Sequence, residues 1–241
     1  MFGMKIDAKD MHFRALNEQV RESRDRNIVI ENCNGQRYLG SGSSDREIFI
    51  EGVPGNALGA YLDGSRIRVH GNAQDATGDT MNAGEIVIDG DSGDATGYAM
   101  RGGRIFVRGN AGYRAGIHMK SYKDRVPALV VGGRAGDFLG EYLAGGVIVV
   151  LGIGAEGSVA GNFCGTGMHG GKIFLRGTEL PAELPPQVKT RPAAPADLAE
   201  IRPLLADFVR AFGLSESDTE GDFLLLEPDS DNPYRQMYVN N

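Results

Sequence analysis

Along most of the chain the apolar residues fall in runs of three, set among glycine and polar positions. The runs are Ile48-Phe49-Ile50, Ile67-Arg68-Val69, Ile86-Val87-Ile88 and Ile105-Phe106-Val107, continuing as Leu129-Val130-Val131, Ile148-Val149-Val150 and Ile173-Phe174-Leu175. Each is rich in branched residues and predicts a short β strand. Side chains alternate along a strand, so the first and third residues share a face, and that face is apolar in all seven runs. Glycine keeps the same beat. It recurs every 19 residues at Gly52, Gly71, Gly90 and Gly109, then at longer spacings at Gly132, Gly152 and Gly177. Self-similarity at a fixed period marks stacked units that bury a shared core. The pattern therefore predicts an all-β fold, a single parallel β-helix of about six or seven coils with two continuous aliphatic ladders inside. Ala73, Ala76, Ala95, Met81 and Met100 are the expected inward residues on the other sides of the coils.

The middle residue of each run faces outward, and six of the seven are apolar, so the outer face needs a cover. A helix of the same chain or a partner subunit would supply it. Residues 8–25 carry a helical stripe of Met11, Ala15, Leu16 and Val20. The proline-rich stretch 178–196 reads as an extended linker. A second helix is expected over about 196–213, with Leu198, Ile201, Leu205, Phe208 and Phe212 on one side, a kink at Pro203 and a stop at Gly213. It is the first candidate for the cover. The expected organisation is a helical cap over 1–27, the glycine repeat over 28–177, and a linker, helix and tail over 178–241 packing on the repeat. Extra residues follow Lys120, at Ser121–Pro127, and a second bulge is expected at Asn162–His169; insertions in repeat folds often map to binding faces.

Composition narrows the function. A hydrophobic share of 41% with 24% charged residues suits a globular chain, so the 36 glycines belong to the period rather than to disorder. A net charge of −7 argues against a nucleic-acid binder. No apolar run is long enough to span a membrane, and Met1–Lys5 shows no secretory signal, which points to the cytoplasm. The two cysteines make no disulfide framework. Gly152–Gly157 matches GxGxxG after a strand, but glycine rather than a helix follows, so a dinucleotide site is not expected. Cys164 and His169 share a loop without further ligands at metal spacing, and a stand-alone hydrolase using them is the remotest reading. Cys33 reads as a turn cysteine. His118 and Lys120 could bind an anion, and read more simply as a coil edge or interface. Glu85, Asp75, Asp79, Asp89, Asp91 and Asp94 lack a calcium-roll spacing and read as solvated turns. No catalytic, cofactor-binding or metal residue is assigned. The candidate interface is His118, Lys120, Tyr122, Lys123, Arg125, Phe163, Cys164 and His169.

The glycine spacing at Gly90-Gly93-Gly97 and Gly109-Gly112-Gly116 resembles the glycine-repeat (GXGXG) domain at the end of the glutamate synthase large subunit, a domain shared with one of the subunits of formylmethanofuran dehydrogenase. Asn34–Gly40, Arg114–Gly152 and the ending NPYRQMYVNN are similar to its stand-alone form, found where glutamate synthase or N-methylglutamate synthase is split into separate chains. The resemblance implies a right-handed β-helix with flanking helices and no chemistry of its own. It implies a subunit bracing a glutaminase-type subunit against an FMN and iron–sulfur subunit, for glutamine-dependent synthesis of glutamate or N-methylglutamate. FMN and iron–sulfur clusters are then expected in the partners and no cofactor here. Self-association stays open. The alternative is the glycine-repeat subunit of a formylmethanofuran dehydrogenase or formyltransferase/hydrolase complex in one-carbon metabolism.

Overall fold

The computed structural model describes residues 3–229; the expected aromatic tail NPYRQMYVNN lies outside them. Each predicted triplet is the heart of a strand. The elements are β1 (Met4–Asp7), α1 (Phe13–Glu22), β2 (Asn27–Asn34), β3 (Glu47–Val53), β4 (Asp63–His70), β5 (Ala83–Ile88) and β6 (Arg104–Val107). They continue as β7 (Ala128–Val131), β8 (Ala144–Val150), β9 (Gly170–Arg176), β10 (Val188–Pro192), α2 (Pro195–Phe212) and β11 (Phe223–Pro228). Strand register follows the repeat: Ile48 pairs with Ile67, Ile67 with Ile86, Ile86 with Ile105, Ile105 with Leu129, Leu129 with Ile148 and Ile148 with Ile173.

The expected architecture needs correction. The strands form one open eleven-stranded sheet in the order β1-β2-β3-β4-β5-β6-β7-β8-β9-β11-β10, not an all-β right-handed parallel β-helix with helical caps at its ends. β1 to β9 run parallel, while β11 is antiparallel to both β9 and β10. The physical reason lies in the segments that return from one strand to the next. They carry tight turns and only single-residue bridges, Ala73–Ser92–Ala111–Ala135–Ala160, so they add no second run of strands. Four strands lie outside the seven triplets: β1 and β2 at the start, and β10 and β11 inside the expected linker and tail.

The main core lies between the inner sheet face and the returning segments. Ile48, Ile50, Ile67, Val69, Ile86 and Ile88 meet Leu39, Leu58, Met81 and Met100 there, all essentially buried. Ala73 is buried as expected, but Ala76 and Ala95 are half-exposed in the left-handed conformation, and Thr77 and Thr96 take the inward places beside them. Each threonine hydroxyl is satisfied by a carbonyl three residues back, Gln74 and Gly93, at 3.1 Å.

α2 is the cover. It runs across the outer face, burying Val87, Phe106, Val130, Val149 and Phe174 against Ile201, Phe208 and Phe212. Phe106 and Phe208 meet edge-on at 5.7 Å. Basic residues along the sheet fasten it: Lys172 reaches Glu200 at 2.8 Å, Arg104 pairs with Asp207, and Arg68 donates to the carbonyl of Ala211 at 2.9 Å. Arg68, the one polar middle residue, thus meets the last turn of the helix, where carbonyls lack partners. Pro203 does not split the helix, because it faces solvent and the carbonyl it frees is not buried. α1 closes the first repeat with Leu16 and Val20 buried.

Candidate interaction surface

The acidic residues of the turns serve the backbone. Asn72 Oδ1 accepts the amide of Asp91 at 2.9 Å, Asp91 that of Asn110 at 2.6 Å, and Asn110 that of Arg134 at 2.8 Å. Asp75 accepts from Asp94 at 3.0 Å and Asp94 from Tyr113 at 2.8 Å. Each side chain holds the next repeat in register. Asp89 and Glu85 pair with Arg68 and Arg104 at 2.7 and 2.5 Å.

Within Asn34–Gly40 the working residue is Gln36. Its amide nitrogen donates to the carbonyls of Ala8 and Met11 at 2.9 and 3.1 Å, and its oxygen accepts from the Asn34 amide at 2.7 Å. It ties the N-terminal segment down. The neighbouring Cys33 is buried, which pushes its thiol up to about 11.

Of the expected interface residues, Cys164 is the one the structure removes from the surface. The extra residues of that repeat lie at Gly152–Ser158, and Asn162–His169 follows the regular turn, so Cys164 falls in the inward row with Leu139. Complete burial pushes its thiol up to about 12. A nucleophilic thiolate would need the opposite shift. His169 is half-buried, with its ring nitrogen 3.3 Å from the Gly167 carbonyl oxygen.

The other expected residues are exposed, in two places. Ser121–Pro127 forms a tight turn closed by reciprocal 3.0 Å backbone bonds between Tyr122 and Arg125. Lys123 at its tip lies 5.4 Å from the Tyr122 ring, and Arg125 reaches back to Asp63 at 3.4 Å. Lys120 enters this turn. On the turn side of the stack, His118 lies flat on Tyr142, with ring centroids 5.0 Å apart and planes 10° apart, and meets Tyr98 edge-on at 5.8 Å. Beside it Phe163 stacks on Phe138 at 5.0 Å, and the Arg114 guanidinium stands 5.2 Å above Phe138. Arg114 also pairs with Glu141 at 2.9 Å.

These two ladders were only partly visible in the sequence, which singled out His118 and Phe163 but not Tyr98, Arg114, Phe138 or Tyr142. The signal was present: the insertions stretch the interval from 19 residues to 24 and 25, and Arg114, Phe138 and Phe163 follow it. Polar and aromatic side chains held in a stacked row on a stiff sheet can dock a partner with little loss of side-chain freedom. Two clefts lie elsewhere: one of about 590 Å³ between α1 and Tyr38–Arg46, and one of about 540 Å³ between α2 and the segment before β11. Among the described residues no helix is long and apolar enough to cross a membrane.

The chain has a relative in sequence, a relative in fold and a matching family profile. An uncharacterized protein of Methanocaldococcus jannaschii is 47% identical over 250 aligned positions, covering 97% of this chain and 95% of that protein. A chain of the formyltransferase/hydrolase complex (FhcABCD) from Methylorubrum extorquens, solved in complex with methylofuran, has a TM-score of 0.63 at 20% identity. The match covers 95% of this chain and 92% of that one, and at this identity the likeness is one of fold. The profile of the GXGXG motif family spans residues 16–220, most of the chain, and the chain belongs to that family.

Proposed function

We propose that this chain is a structural subunit of a glutamate-synthase-like amidotransferase complex. In this reading it holds a glutaminase-type subunit and an FMN and iron–sulfur subunit at a set separation, for glutamine-dependent synthesis of glutamate or N-methylglutamate. The observation that carries it is the pair of exposed stacked ladders, His118–Tyr142 and Arg114–Phe138–Phe163, presented by a rigid repeat. Membership of the GXGXG family and the resemblance over Arg114–Gly152 supply the kind of complex.

The chain's own residues do not suit an iron–sulfur cluster, which needs grouped thiolates. Cys33 and Cys164 stand in different repeats, both buried and both with raised pKa values. Among the described residues no three His, Cys, Asp or Glu side chains converge on one point. This reading assigns FMN and clusters to the partners.

A second reading, a subunit of a formyltransferase/hydrolase complex, is favoured by the fold shared with a chain of that complex. Co-expression of the tagged chain with the glutaminase-type and FMN subunits of its own organism decides between them. Co-elution of both, with no turnover by the chain alone, is the expected result. Elution of the chain alone overturns the proposal, and co-elution in a parallel co-expression with formyl-transfer and hydrolase subunits would establish the second reading instead.

A further inference from the structure

We infer that the face carrying Tyr98, His118 and Tyr142 docks an acidic protein segment bearing planar side chains, with Arg101, Lys120 and Lys123 as its carboxylate contacts. As to which subunit supplies the segment, this rests on the reading above; as to chemistry, it rests on the surface itself.

The charge is the first argument. The chain carries a net −7, yet this face presents cations without acidic partners. Arg101 and Lys120 occupy the same place in successive repeats, linked through the Lys120 amide on the Met100 carbonyl at 3.0 Å. Both are exposed, and neither makes an ion pair among the described residues. Lys123 is exposed at the tip of the inserted turn that follows Lys120, over the Tyr122 ring. Two nearby acids already have partners, Glu141 on Arg114 and Asp63 on Arg125. Asp124 in the turn is exposed, and Asp79, next to the Thr80 whose amide bonds the Tyr98 carbonyl, is half-buried and accepts the Thr80 hydroxyl at 2.7 Å.

The second argument is aromatic. Tyr98 is 39% exposed and Tyr142 37%, although each touches the His118 ring. Prestacked rings offer broad apolar faces whose rotamers are already fixed, so a partner's planar side chain can join the stack at small entropic cost. A cationic margin beside such rings selects for carboxylates and steers their approach. Nucleic acid fits less well: its backbone needs a basic track many phosphates long, and the chain's net charge is −7.

The test titrates the full chain into a fluorescein-labelled random copolymer of glutamate and tyrosine. Polyglutamate and single-stranded polyuridylate serve as comparison probes, each over a range of salt. Tighter binding to the copolymer than to either comparator, fading as salt rises, is expected. The double variant Arg101→Glu/Lys120→Glu and the single variant Tyr142→Ala should each weaken it by about tenfold. Tyr61→Ala, at an exposed tyrosine outside the ladder, should leave it unchanged. All the altered side chains are exposed or half-exposed, and thermal melts confirm folding before each titration. The inference is overturned if the copolymer does not bind, if both ladder variants keep wild-type affinity, if polyuridylate binds more tightly, or if sedimentation shows the face pairing two copies of the chain. No partner subunit enters the titration, so its failure is distinct from a failure of the co-expression experiment.

Discussion

Replacing Gly59 by alanine probes how the glycine row fits the inner isoleucines. Gly59 has φ +62°, and a methyl built on it would sit 2.6 Å from Ile86 Cδ1 and 3.3 Å from Ile67 Cδ1. Gly97 holds the same place two repeats on, with φ +75°, but there the nearest atom is the Met119 sulfur at 3.7 Å. By strand register the residue due opposite Gly97 is Leu129 rather than isoleucine, and its side chain branches one carbon further out. Both substitutions push alanine into the left-handed region, at about 1–2 kcal/mol. The chain already accepts this at Ala57, Ala76 and Ala95. Only Gly59→Ala also overpacks the wholly buried Ile86, for about 1–3 kcal/mol more. The expected losses are about 2–5 kcal/mol at Gly59 and about 1–2 kcal/mol at Gly97. Ile86→Val deletes the opposing methyl at about 0.5–1.5 kcal/mol of its own, and in that background Gly59→Ala should cost no more than Gly97→Ala. Urea unfolding of the full set, with unchanged m values, measures the coupling. Equal losses at the two glycines, or an uncoupled cycle, would refute the reasoning.

Phe208→Ala should cost about 3–5 kcal/mol in the same assay, because the ring is wholly buried between Phe106 at 5.7 Å and Phe212 at 4.8 Å. Asp94→Ala should cost about 1 kcal/mol or less, since water can take over the exposed Tyr113 amide; a larger drop would mean the ladder acts cooperatively. The hydrogen bonds from Arg191 at 2.6 and 3.0 Å, then the Ala194 amide at 2.7 Å, hold the Asp197 carboxyl down at about 2, below its ordinary 3.8. A depressed value stabilises fully above about pH 4 and is lost as pH falls through about 2, so Asp197→Asn should flatten acid unfolding in that window and leave neutral pH dependence alone. Both thiols should resist iodoacetamide at pH 8 in the native protein and react on unfolding; rapid alkylation of one would contradict the burial that raises them to about 11 and 12.

Much of the fold is written in local pattern. The seven triplets become strands in the expected register because one buried face with a strict period leaves no alternative pairing. α2 begins at Pro195 and ends before Gly213, close to the expected bounds, and covers the outer row as its apolar stripe suggested. The sheet's ends were hidden. β1 has only Ile6 fully buried, and β10 is an edge strand of exposed polar residues whose place depends on β11. How each repeat closes is hidden for a related reason. Periodicity tells that the chain returns every 19 residues, not whether the return forms strands, and here Gly-Asx turns held by side-chain caps do that work.

The candidate surface shows the same rule from outside. In a stack of repeats, neighbours in space are separated in sequence by one repeat length, so a site is spread across the chain and forms no motif. Phe138 and Phe163 touch, and so do His118 and Tyr142, at separations of 25 and 24 residues that depart from the basic 19. Those departures come from the insertions at Ser121–Pro127 and Gly152–Ser158. The first of these also carries Arg125 to Asp63 and against Gly102, next in sequence to Arg101. The insertions therefore interrupt the period that reveals the fold, and one of them brings charge to the ladder. A close reading of spacing could have aligned Arg114 with Phe138 and Phe163, but only after the second insertion had been placed before Ala160 rather than beyond it. Shortening Ser121–Pro127 to restore the 19-residue interval should leave the strands paired and the core intact, while removing Lys123 and Arg125 from the face. If the acidic copolymer still bound such a chain as tightly as the wild type, the inserted turn would have no part in recognition, and the stacked rings with Arg101 and Lys120 would have to carry it.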